Sequence, residues 1–222
     1  MTLFDQYRPK RLGEVVGQPA AMRLARFARQ PFRSCWLLEG PPGTGKSASA
    51  HALAEELSCT IFSKHVVSGN KLTRETAEQL FNHTVRCVPM DRARFHVVIV
   101  EEFERVVSPE VKSFLKTALD AGVEPPDGLA PRCIVVATSN EVTKIDGAIL
   151  ERFRVLQYSG GPSFAESAQE RLAAIWADQR PGEDIPPWWR QWGWVGERFS
   201  MRVALRELEN YLHLSPALAT VE

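Results

Sequence analysis

The run Gly40-Pro41-Pro42-Gly43-Thr44-Gly45-Lys46-Ser47-Ala48 contains the residues whose types and spacing most directly imply chemistry. A glycine, four intervening residues and then Gly-Lys-Ser, set between an apolar run and an alanine-rich helical pattern, is an arrangement that wraps a backbone around an anion. The glycines permit close approach of the main chain, and the following helix offers free N–H groups and a positive dipole end at the same point. Lys46 adds a point charge suited to the β and γ phosphates of ATP, and Ser47 a hydroxyl suited to Mg²⁺.

Two further candidates stand at the ends of apolar runs. Val97-Val98-Ile99-Val100 ends in Glu101-Glu102, and a buried parallel strand of that sequence delivers two carboxylates to the sheet edge where ligands bind. Glu101 is then a candidate Mg²⁺ ligand acting through water, and Glu102 a candidate base that orients or deprotonates an attacking water. Ile134-Val135-Val136-Ala137-Thr138 leads to Ser139 and Asn140, whose uncharged amide can hydrogen-bond both a γ-phosphate and a water. Taken alone, an acidic strand end is equally readable as an ordinary sheet edge, and an asparagine after a strand is more often a turn residue. Together with the glycine loop they read as one site.

Such a site needs a sheet to hold it. Short apolar runs, each followed by a helical pattern, predict an α/β fold with a parallel five-stranded sheet between helices. The strands are expected at Cys35 to Glu39, Thr60 to Val67, Phe95 to Glu101, Cys133 to Thr138 and Phe153 to Tyr158. Helices are expected over Ser47 to Leu57, Thr73 to Val85, and from the Ser108-Pro109 cap through Asp120, with a Gly/Pro-rich loop at Gly122 to Pro131. Ser159-Gly160-Gly161-Pro162 ends the alternation, so 1–158 reads as the nucleotide-binding domain and 159–222 as a small domain of helices and loops, with helices at Phe164 to Gln179 and Ser200 to Leu214. Trp188, Trp189, Trp192 and Trp194 lie between those helices, either as core of the small domain or as an exposed anchor for a partner protein.

Lys plus Arg equals Asp plus Glu at 27 each, which removes any overall signature of nucleic-acid or membrane binding. The first 34 residues are locally basic, and Arg23, Arg26 and Arg29 share one helical face, readable as a solvated surface or as one that tracks phosphates. Cys35, Cys59, Cys87 and Cys133 have no zinc-ligand spacing and are expected to be small core fillers in a reducing compartment. With no apolar stretch near the roughly 20 residues of a membrane helix, the expected location is cytoplasmic.

These residues together resemble the P-loop NTPases of the AAA+ type, most closely the clamp-loader group of replication factor C small subunits. The resemblance covers residues 5 to 214 and implies a chain lacking that group's carboxy-terminal collar domain. Tyr7-Arg8-Pro9-Lys10 with Val15-Val16-Gly17-Gln18 is similar to the amino-terminal signature that lies against adenine, which implies nucleotide-binding roles for Tyr7, Arg8, Pro9, Val16 and Gly17. The glycine loop, Glu101-Glu102 and Asn140 match the Walker A, Walker B and sensor 1 positions. Glu151-Arg152-Phe153 stands where the group has Ser-Arg-Cys, so the resemblance implies that Arg152 is an arginine finger aimed at a neighbouring subunit's ATP. Ser200-Met201-Arg202 looks like the sensor 2 helix of a helical lid, implying that Arg202 contacts the γ-phosphate.

The implied activity is Mg·ATP hydrolysis driving a clamp-loader-like switch in DNA replication or repair. Implied partners are other AAA+ subunits in a homo- or hetero-oligomer, and DNA with a sliding clamp or another DNA-bound protein. Glu101, where the group has Asp, leaves open an ATP-binding scaffold that does not hydrolyse. A protein-remodelling ATPase ranks lower, because Val67-Ser68-Gly69-Asn70 lacks the aromatic, aliphatic and glycine residues that line such pores.

Overall fold

The computed structural model describes residues 2–91, 93–122 and 128–214. In chain order the elements are α1 (Leu3–Gln6), α2 (Pro19–Arg29), β1 (Ser34–Glu39), α3 (Lys46–Glu56), β2 (Lys64–Ser68), α4 (Arg74–Glu78), β3 (His96–Glu101) and α5 (Pro109–Ala118). They continue with β4 (Cys133–Ser139), α6 (Gly147–Leu150), β5 (Arg154–Gln157), α7 (Pro162–Gln179), β6 (Trp194–Val195), β7 (Arg198–Phe199) and α8 (Met201–Leu214). Strands β1 to β5 form one sheet in the order β2-β3-β4-β1-β5, and every pairing in it is parallel.

The period-2 alternation of the central strands divides the core between the two faces of the sheet. Val97, Ile99, Ile134 and Val136 pack with Leu24 of α2 and Ala50 and Leu53 of α3. Val98, Val100, Val135 and Ala137 pack with Val111 and Leu115 of α5. β3 and β4 are therefore covered on both sides, which is why they read as unbroken apolar runs. A third cluster joins α7 and α8 through Ala168, Leu172, Ile175, Ala204 and Leu208, and it takes in Leu3 from the start of the chain.

Several sequence expectations are corrected. β2 begins at Lys64 rather than Thr60, because Asp91 accepts hydrogen bonds from Thr60 N (3.0 Å), Thr60 Oγ1 (2.6 Å) and Ser63 Oγ (2.6 Å), holding 60–63 as a turn. The helix expected over Thr73 to Val85 is α-helical only to Glu78, then forms a π turn at Gln79–His83 and a 3₁₀ turn at Thr84–Arg86. The Thr84 hydroxyl donates to Gln79 O at 3.1 Å, a side-chain bond that competes with the regular ladder.

The region after Tyr158 is not solely helix and loop, since β6 and β7 form an antiparallel pair turning at Gly196, whose φ is +60°. Cys87 is exposed, whereas Cys35, Cys59 and Cys133 are buried. Residues 123–127 of the expected Gly122 to Pro131 loop, and 215–222 at the end of the second expected domain, lie outside the described residues. No helix among the described residues is long and apolar enough to cross a membrane.

The tryptophan segment divides between its two readings. Trp189 and Trp192 are buried in the α7–α8 cluster, whereas Trp188 is 51% and Trp194 38% exposed. Trp192 packs its ring 5.6 Å from that of Tyr211. Trp192→Ala is expected to lower unfolding stability by about 3–5 kcal/mol, and Trp188→Ala by about 0.5 kcal/mol or less. Urea unfolding followed by circular dichroism checks this, and equal losses for the two variants would contradict the assignment of core and surface.

Candidate functional site

Three parallel strands end side by side, and each delivers one component of the site. β1 runs directly into the glycine loop, whose first residue donates from Gly40 N to Ser139 O at the end of β4 (3.2 Å). Gly40 has φ +145°, and a Cβ there would lie 2.2 Å from Tyr158 O, so only glycine fits. Gly43, at φ +81°, lies so close to the start of α8 that a Cβ would stand 1.9 Å from Ser200 Oγ. Met201 N donates to Gly43 O at 3.0 Å, which bonds the loop to the sensor-like helix.

Lys46 opens α3 and is buried. Its ammonium donates to Gly40 O (2.6 Å), Pro41 O (2.7 Å) and Asn140 Oδ1 (2.9 Å). Burial lowers its pKa to about 8, with Glu104 pulling it up and Arg202 pushing it down. The loop is closed further by Thr44 Oγ1 donating to Pro41 O at 2.8 Å.

β3 delivers the carboxylate pair. Glu101 is held below the usual carboxylate range first by His51, whose Nε2 is 3.8 Å from Oε1, and then by the Ser47 hydroxyl and Arg8; partial burial opposes them. Glu102 has the left-handed backbone φ +54°, uncommon outside glycine. Its N–H donates to Thr138 Oγ1 at 3.3 Å, and its Oε2 lies 3.2 Å from Arg105 Nη1. Gly69, beyond β2, faces the Glu102 carbonyl so closely that a Cβ would come within 2.4 Å of it. The Val67-Ser68-Gly69-Asn70 segment thus supports the turn that carries Glu102.

These elements enclose a cavity of about 220 Å³. Of the residues expected from sequence, its wall includes Tyr7, Arg8, Pro9, Val16, Pro42, Gly43, Thr44, Gly45, Lys46, Ser47, Ala48, Glu102, Asn140 and Arg202. Gly17, Gly40, Pro41, Glu101 and Arg152 are not on that wall. Gly40 and Pro41 act behind it by holding Lys46, and Glu101 sits behind Ser47. Gly17, at φ +62°, packs against Phe164 and Ser167.

Several wall and supporting residues escaped the sequence reading. Phe4, Phe164 and Met201 give the cavity an apolar end, and Arg171 lies 5.9 Å over the Tyr7 ring. Tyr7 itself is held through its hydroxyl by Asp178 and Gln179 of α7. His51 and Glu104 had no signal beyond their positions five residues after Lys46 and two after Glu102.

Arg152 departs from expectation. Rather than pointing outward, its guanidinium folds back to donate to Lys116 O and Ala148 O and pairs with Asp120 at 3.3 Å. The planar fork thereby ties α6 to the end of α5.

The paired hydroxyl and carboxylate of Ser47 and Glu101 are oxygen donors of the kind a hard divalent cation takes. Among the described residues no group of three or more His, Cys, Asp or Glu side chains could hold a metal.

Sheet order, glycine loop and flanking carboxylates define a P-loop nucleotide-binding protein. The chain belongs to the ATPase family associated with various cellular activities (AAA), which matches residues 36–160. It is 27% identical over 158 residues to the replication factor C small subunit of Methanocella arvoryzae, covering 69% of this chain and 47% of that protein. It is also 27% identical over 161 residues to the pachytene checkpoint protein 2 homolog of Gallus gallus, covering 58% and 35%. The chain thus spans about half or less of the curated relatives it matches. Among solved structures, the Thermotoga maritima RuvB Holliday junction branch migration motor superposes with TM-score 0.67 at 22% identity, over 90% of this chain and 63% of that one. That likeness is one of fold.

The contacts of Arg152 generate a test. Arg152→Ala removes two carbonyl hydrogen bonds and an ion pair and is expected to cost about 1–3 kcal/mol of unfolding stability in dilute monomer. Unchanged monomer stability would show that these contacts carry no load and return Arg152 to a role exercised only between subunits.

Proposed function

We propose that this chain is a Mg·ATP-hydrolysing AAA+ switch of the clamp-loader type, working with other AAA+ subunits on DNA in replication or repair. The observation that carries the reading is the convergence of Lys46, Asn140, Glu102 and Arg202 on one cavity floored by the glycine loop. In this reading Lys46 and the loop N–H groups hold the phosphates, and Arg202 meets the γ-phosphate from the α8 side. Tyr7, Arg8, Pro9 and Val16 flank the base. Ser47 and Glu101 would hold Mg²⁺, which would supply positive charge to neutralise that on the phosphates. Glu102 takes the proton of the attacking water.

The DNA component is supported by likeness to replication factor C small subunits and by Arg23, Arg26 and Arg29, exposed along one side of α2. A second reading, an ATP-binding scaffold that does not turn over, is favoured by the engagement of Arg152 within its own chain. An arginine finger in trans would have to leave Asp120, Lys116 and Ala148.

Phosphate release from Mg·ATP, measured with and without primed DNA, separates the readings. The parental chain is expected to hydrolyse ATP faster with DNA present, and Glu102→Gln to keep ATP affinity while losing about 10²- to 10⁴-fold in turnover. Tight ATP binding without release would favour the scaffold, and release indifferent to DNA would overturn the DNA switch. If Glu102→Gln turns over at the parental rate, Glu102 is not the base.

A further inference from the structure

We infer that Glu104 is a positioning residue that fixes the side-chain amide of Asn140 with its oxygen toward Lys46 and its NH₂ turned away. The inference rests on the reading of this site as one that binds and cleaves ATP.

Glu104 lies on the 3₁₀ turn Phe103–Arg105, directly after Glu102. The turn is anchored by buried Phe103, whose ring meets that of Phe153 at 5.3 Å, and by buried Val106. From there Glu104 Oε1 accepts from both Asn140 N and Asn140 Nδ2, each at 3.2 Å. Its other oxygen, Oε2, is buried without a hydrogen-bond partner. Among the described residues, every hydrogen bond this carboxylate makes therefore goes to Asn140.

An asparagine amide has two orientations that exchange a donor for an acceptor. Here both neighbours select the same one. An ionised Glu104 only accepts, so it requires the NH₂ on its side; Lys46 only donates, so it requires Oδ1 on the other, where the contact is 2.9 Å. Rotating the amide by half a turn would set Oδ1 against a carboxylate oxygen and NH₂ against an ammonium, opposing like partners at two contacts. The hydrogen bonds this carboxylate makes are those that hold Asn140.

The consequence concerns what Asn140 offers the reaction. Held in this way it turns its acceptor toward Lys46, where Oδ1 can take a hydrogen from Lys46 or from the attacking water, while one N–H of its NH₂ is committed to Glu104. Glu104 shares a turn with Glu102, so the group that receives the proton and the group that aims the acceptor move as one segment. The i, i+1, i+3 spacing of Glu101, Glu102 and Glu104 thus places three carboxylates in three separate roles.

The test uses the full chain. Glu104→Gln is expected to lower kcat about 10- to 100-fold, the scale of a small misplacement of a reacting group, with KM and equilibrium ATP affinity within about twofold. In an Asn140→Ala background the same change should cost nothing more, because the residue through which Glu104 acts is gone. Additive losses, or a loss confined to KM, would overturn the proposal. A second readout needs no turnover: in ¹⁵N-labelled protein, the Asn140 side-chain amide pair, identified by its loss in Asn140→Ala, is expected downfield, and Glu104→Ala, which removes the acceptor, should return it to the free-amide position. An unmoved resonance overturns the inference even in an active enzyme. If the parental chain binds ATP without hydrolysing it, the hydrolytic reading fails while the resonance still decides the role of Glu104.

Discussion

A buried ammonium set at the positive end of a helix governs this molecule. Lys46 is the first residue of α3; the Gly45 cap provides no side-chain acceptor, and the first turn carries no acidic residue. Helix dipole and lysine charge therefore add where they would ordinarily be kept apart. The three groups that accept from Nζ are all neutral: two loop carbonyls and an amide oxygen. Below about pH 8 the fold carries this charge at a cost, and because the folded pKa lies below the free value of 10.5, stability from this group rises as pH climbs between the two. A bound polyphosphate would relieve both positive features at once, which is what supports the proposed role of this segment.

The remaining architecture keeps that arrangement in reach of its partners. The parallel order β2-β3-β4-β1-β5 sets the ends of β1, β3 and β4 at one edge, so loop, carboxylates and Asn140 arrive together. The later helices close over the loop through Met201 N to Gly43 O, and the amino-terminal segment joins them through Leu3, whose N–H donates to Glu209 at 2.9 Å. Tyr7 repeats the connection through Asp178 and Gln179 of α7. Residues on both sides of the cavity are thus mechanically linked to the segment that holds Lys46.

Much of this was legible in the residues, because the governing signals are local. Apolar runs marked all five sheet strands, and the Gly-Lys-Ser spacing, the Glu101-Glu102 ending and Asn140 marked positions that the fold gathers around Lys46. What escaped depends on partners distant in sequence. Asp91 converts the expected start of β2 into a turn from 31 residues away. Asp120 and the Lys116 carbonyl draw Arg152 inward. Glu104 meets Asn140 only because the fold brings a residue 36 positions on to lie beside it. The β6–β7 pair was missed for a different reason: two-residue strands are too short for alternation to register.

In the proposed reading Lys46, its pKa lowered by burial, waits for the phosphates of ATP. Calorimetric titration of the chain with ATP at fixed free Mg²⁺, between pH 7 and 9.5 in buffers of differing ionisation enthalpy, tests it most directly. Phosphates favour the ammonium, so binding should take up a proton above about pH 8, and affinity should fall toward about tenfold per pH unit there. Lys46→Ala should abolish binding and, with it, the proton uptake. Affinity that stays flat across this range with no proton exchanged, or ATP binding that survives Lys46→Ala unchanged, would contradict the account.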